Sequence, residues 1–175
     1  MQKRCEDKQN GRIAFSRPLI LSYTYKSMLG YLLFLSEVNS LSTKSHTIME
    51  VINEAKRYID NARGFLRDNA RKEGGIYQDS KYVKIAGHTA YSGVLIALDA
   101  VLPEKGSRKS VEWYQKELST IDKRVLAHFM NVYHHLHIGM GYDGDPNAKM
   151  ATIGLQDADK IIHWVETRLE KKTSR

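Results

Sequence analysis

The chain has one cysteine, Cys5, so a disulfide framework, a CxxC pair and any multi-cysteine zinc site are excluded. Such usage fits a reducing, cytoplasmic setting. Proline occurs three times, and two of the three read as breaks, Arg17-Pro18 and Pro103. There is no GxxxxGK or GxGxxG loop for phosphates and no serine in a GxSxG setting. No useful β-alternation and no internal repeat is present. Phenylalanine and tryptophan are scarce, four and two against ten tyrosines, and the tyrosines are spread along the chain rather than grouped as a base-stacking platform. The longest apolar run, Leu19 to Leu35, is shorter than the ~20 residues of a membrane span and contains Lys26. The following SEVNS is a poor signal-peptidase site.

What is abundant is positive charge and helical period. The net charge of +7 would ordinarily point to nucleic acid or an anionic surface. Residues 1–47, however, hold seven Lys/Arg against three Asp/Glu, whereas residues 48–175 hold twenty against seventeen and are nearly balanced. This shift divides the chain into an irregular N-terminal extension, residues 1–47, and a helical domain, residues 48–172. Met49 reads as the natural first residue. At 42% hydrophobic content, the chain can build one core of ordinary size.

From Thr47-Ile48-Met49-Glu50, which has capping-box spacing, apolar residues recur every three or four positions up to Glu73-Gly74-Gly75, predicting a first helix stopped by the paired glycines. A second helix is expected from Asp79-Ser80 to Leu102. Its face of small residues (Ala86, Ala90, Gly93, Ala97) suits a central position. A third, of about 27 residues by its unbroken period, follows the N-cap Ser110 and carries Tyr114, Leu118, Ile121, Val125, Phe129, Val132 and Leu136. A loop from Gly139 to Gly154 and a last helix from Leu155 to Lys171 complete an all-α, antiparallel four-helix bundle.

Histidines 134, 135 and 137 fall at the end of the third helix, where their expected role is to satisfy its last carbonyls. His134 and His137 can share a face, but a zinc site would need a third ligand such as His128, Asp143 or Asp145, so no metal is assigned. Asp143-Gly144-Asp145-Pro146-Asn147 begins like a calcium loop, yet Ala148 and Gly154 stand where glycine and glutamate are required. Arg63, Arg67 and Arg71, four apart, form a row able to grip phosphates, partly neutralised by Asp60, Asp68 and Glu73. His88 and Tyr91 read as packing residues.

The segments KYVKIAGHTAYSGVLIALDAVL, SVEWYQKELSTID and LHIGMGYDG, with the distinctive words GHTAY (87–91) and GMGYDG (139–144), resemble a family of small uncharacterised bacterial helical proteins. The resemblance spans roughly Met49 to Leu169. More remotely the pattern is similar to the HEPN superfamily, whose members are often dimers, and many of which cleave RNA through an arginine followed four to six residues later by histidine. Arg124 and His128 have only three residues between them, so that motif is missing.

The resulting expectation is a non-catalytic, cytoplasmic, homodimeric module without a cofactor that binds protein or nucleotide. Its contact residues would be His134, His137, Tyr142, Asp143, Arg63 and Arg67. The alternative is a metal-independent RNA-cleaving enzyme using Arg124, His128, His134 and His137. An enzyme should place His134 or His137 beside an arginine in a cleft; a binding module should show these histidines bonded to backbone.

Overall fold

The structure, a computed structural model, describes residues 49–173. The readings that concern Cys5, the apolar run, the extension and the Thr47 cap lie outside the described residues. Helix α1 covers residues 49–68 and buries Ile52, Ala55, Ile59, Ala62 and Leu66, the three- and four-residue spacing of one helix face. It ends before the glycine pair. The amides of Asn69 and Ala70 both donate to Phe65 O, and Arg71 turns the chain with φ of 48°. Gly74 and Gly75, both at positive φ (54° and 84°), instead make the two-residue turn of a hairpin between β1 (Lys72–Glu73) and β2 (Ile76–Tyr77). The hairpin docks on the start of the last helix: Tyr77 N–H donates to Pro146 O at 2.8 Å and Ala148 N–H to Gly75 O at 3.0 Å.

Helix α2 (Ser80–Asp99) starts where Asp79 accepts from Lys81 N–H and ends at Ala100, three residues before Pro103. The predicted 27-residue third helix is corrected to two. Helix α3 (Val111–Ile121) stops at Asp122, whose extended backbone breaks the ladder and whose carboxylate caps α4 (Lys123–Val132) by accepting from Arg124 N–H. Periodicity hid the break because the apolar stripe continues across it; Leu118 and Val125 are both buried.

From α4 the chain passes without a cap into an 11-residue π-helical segment, Tyr133–Asp143, closed by Gly144 at φ 72°. The expected loop from Gly139 to Gly154 is therefore also corrected. Gly139 to Asp143 are helical, and α5 (Ala148–Thr173) begins at Ala148, not Leu155. The Asn147 side chain accepts from the amides of Lys149 and Met150, which is why α5 starts there.

Helices α1 and α5 run antiparallel. Ion pairs join Lys56 to Glu166 and Arg63 to Asp159, so a rise of seven residues on α1 meets a fall of seven on α5. Gly93 of α2 packs on Ala55 and Tyr58 of α1, and the chain turns back at Gln78, whose amide reaches Ala70 O. The π segment lies between α2 and α5 in two glycine notches. A Cβ on Gly87 would stand 2.5 Å from Leu136 O and 2.7 Å from Gly141 N, and one on Gly154 would stand 2.5 Å from Leu136 Cδ2. Among the described residues no helix is long and apolar enough to cross a membrane.

Candidate functional site

The two distinctive words of the sequence, GHTAY and GMGYDG, pack against each other. Because Gly87 lets the backbones touch, His88 and Tyr91, one turn apart on α2, meet side chains of the π segment. The His137 ring stacks on Tyr91 at 4.2 Å between centroids. Tyr133 lies tilted at 5.5 Å, and the edges of Tyr142 and His88 approach at 5.0 and 5.9 Å. Hydrogen bonds that reach five residues back bring side chains four and five apart onto one side, so Tyr133, His137 and Tyr142 share a face. In an α-helix, Tyr142 would stand roughly 140° from His137. The π turn thus assembles the cluster, a role frequent for such turns.

The cluster is half dry. Tyr91 is 7% exposed, and its hydroxyl makes no hydrogen bond within the described residues. Burial, with the neighbouring Tyr133, pushes its pKa up to about 12. Burial first and His88 second lower the pKa of His137, so its ring is neutral at pH 7. Its Nδ1 is buried without a partner. Native structures rarely leave such atoms unsatisfied.

His137 and Tyr91 open onto a cavity of about 560 Å³ that is walled by Leu95 and Val111 and rimmed by Arg108, Lys109 and Glu112. Two of its lining residues meet at Asp99 outside it: Tyr114 donates to Asp99 at 2.6 Å and Lys109 pairs with it at 2.8 Å. Burial, and then the bond to Asp99, raises the Tyr114 pKa, keeping the phenol a donor. Glu112 is held at the start of α3 by its own amide and the Ser110 hydroxyl, which lower its pKa.

The other sequence candidates are placed elsewhere. His134 is exposed, with the edge of its ring against Tyr133 at 5.3 Å; Tyr142 is 60% exposed; Asp143 is exposed at the end of the π segment. The expectation that the histidines satisfy helix-end carbonyls is corrected, because the π segment continues past them and its last carbonyls accept from Gly144 and Asp145. His128 is drawn into a polar knot between α4 and α5, 3.0 Å from buried Asp157, which also accepts from Asn131 and Lys160. Arg124, one turn away, points to solvent near Asp122. Arg63 pairs with Asp60 and Asp159, and Arg67 makes a two-pronged bond to Asp68. Among the described residues no group of three His, Cys, Asp or Glu side chains is arranged to hold a metal.

Sequence reading passed over Tyr91, Tyr133, His88, Arg108 and Lys109 as site residues. The available signal was the three-residue spacing of His88 and Tyr91 beside a helix face already rich in glycine and alanine.

Residues 50–167 match the family described as Domain of unknown function (DUF5618). A solved structure of a protein of unknown function from Dyadobacter fermentans is 53% identical, with a TM-score of 0.67, and the match covers 69% of this chain and 97% of that one. A search of curated proteins finds no match.

Proposed function

Since the chain belongs to the DUF5618 family, whose description assigns no activity, we propose a function from the site itself: a non-catalytic, cytoplasmic binding module that takes a small polar ligand in the His137–Tyr91 cavity. The observation that carries this reading is His137, whose buried Nδ1 has no partner among the described residues and whose ring lines one cavity together with Tyr91. The volume lies in the usual range for small-molecule sites, and apolar walls with a few polar groups are what such sites offer. Arg108, which has no ion pair among the described residues, favours a ligand with an acidic group, whose body would rest on Leu95 and Val111. A homodimer and a four-helix bundle of HEPN-like form belong to the same reading. The antiparallel α1 and α5 support the bundle, with α4 and the π segment as one arm and α3 folded back on α4, where the Tyr114 and Phe129 rings meet at 5.6 Å.

The test is an NMR titration of the histidine ring signals with a panel of carboxylates and nucleotides. At least one should shift His137 saturably, and Tyr91→Phe should weaken it by about five- to tenfold, the worth of one hydrogen bond. A His137 signal unmoved by the whole panel would sink the proposal.

One observation favours a second reading, RNA cleavage: His137 shares its cavity with Arg108, and His134, His135 and His137 make no backbone bond from their rings among the described residues. In that reading His137 and Arg108 replace Arg124 and His128. EDTA-resistant RNA degradation, lost in both His137→Ala and Arg108→Ala, is the result it requires.

A further inference from the structure

A second cleft, between α1, α5 and the hairpin, is chemically simpler than the first. It encloses about 510 Å³ and is lined by Arg63, Arg67, Lys72, Tyr77, Thr152 and Gln156, over an apolar floor of Leu66 and Leu155. Three cations line it and no carboxylate does. The aspartates that pair with Arg63 and Arg67 lie outside it. Lys72 has no ion pair among the described residues and projects from β1, directly opposite Tyr77 in the hairpin register. Tyr77 is half-buried, and burial raises its pKa, so its phenol stays protonated.

From this geometry we infer a binding site for a small phosphate monoester that carries a planar ring, of the nucleoside monophosphate class. The phosphate sits among Arg67, Lys72 and Arg63; the ring lies against Tyr77 and the leucine floor. Arg67 leaves Asp68 to do so. The two side chains of that pair are 74% and 57% exposed, and solvent screens exposed pairs, so a doubly charged phosphate displaces the carboxylate at small cost. The cleft also fits the ligand: sites for small molecules run from about 300 to 1,000 Å³. The hairpin, pinned to Pro146 and Ala148, fixes Lys72 and Tyr77 relative to α5 before any ligand arrives.

The experiment is calorimetric titration of the full chain with adenosine monophosphate, adenosine and inorganic phosphate, repeated on Arg67→Gln/Lys72→Gln and on Tyr77→Leu. Arg67 and Lys72 are exposed, and unchanged thermal unfolding of the double variant confirms its fold. The nucleotide should bind saturably, adenosine at least tenfold more weakly, and the double variant should lose at least tenfold in affinity. Tyr77→Leu should weaken the nucleotide while leaving inorganic phosphate as before. No saturable nucleotide binding, or equal binding by the double variant, overturns the inference. Binding that survives the double variant but is lost in Lys109→Gln places the nucleotide in the His137 cavity, which overturns this site and leaves the proposed function standing.

Discussion

At the scale of single residues, His137 is the group whose environment differs most usefully from water. Burial, and secondarily His88, hold its pKa below the ordinary value of 6.5. The unfolded chain therefore takes up this proton first, and the contribution of neutral His137 is full above that value and is lost as pH falls below it through the lowered folded-state pKa. Urea midpoints at pH 7.5 and 5.5 should show a smaller loss in His137→Phe, which keeps a ring against Tyr91, than in the parent. Equal losses would mean that His137 titrates as it does in water. Asp157 does not blur the comparison. Burial pushes its pKa up, but hydrogen bonds from Lys160 and Asn131 outweigh that and leave it below the ordinary 3.8, so its effect begins at more acid pH. None of this was visible in the sequence, where His137 was one of three histidines with no means of telling the half-buried His135 and His137 from their exposed neighbour His134.

At the scale of elements, local chemistry made the starts of α2 and α3 legible and left those of α4 and α5, and the interruptions, obscure. Asp79 and Ser110 cap the helices that their side chains announce. Asp122 does the same for α4, but inside an unbroken apolar period it read as one more polar residue. The glycine pair at 74 and 75 suited a helix stop as well as a hairpin turn, and only the pairing of Lys72 with Tyr77 separates the two. The π segment left one trace, the strict spacing of four between the buried residues Val132, Leu136 and Met140, wider than the 3.6 of an α-helix. What holds it is glycine on both sides, and the two notches differ. At Gly87 an added Cβ meets the Leu136 carbonyl, the Met140 Cβ and the Gly141 amide, which cannot move alone; at Gly154 it meets mainly the Leu136 side chain and the His135 Cβ. Gly87→Ala should therefore cost about 1–3 kcal/mol, and more than Gly154→Ala, measured as the loss in urea unfolding free energy. The reverse order would show that the α2 contact gives way more easily than the α5 one.

For the whole molecule, the decisive quantity is where the charge lies. The net +7 invites a nucleic-acid reading, but four of those charges fall in residues 1–47 and only three in the remainder, where Arg57, Arg63 and Arg67 are each paired with an acid. A polyanion responds to summed charge and a small ligand to local geometry, so the two kinds of binding should separate. On a heparin column, residues 48–175 should elute at clearly lower salt than the full chain, whereas Arg67→Gln in the full chain should shift elution only slightly. Should the shortened chain elute at the same salt, polyanion affinity would reside in the helical domain, and the cavities described above would compete with an open, RNA-sized surface as the site of function. If instead affinity falls with the first 47 residues, general attraction to nucleic acid is a property of that segment. The helical domain is then left with the small-ligand recognition proposed for its two clefts, one lined from α2 and the other from α1.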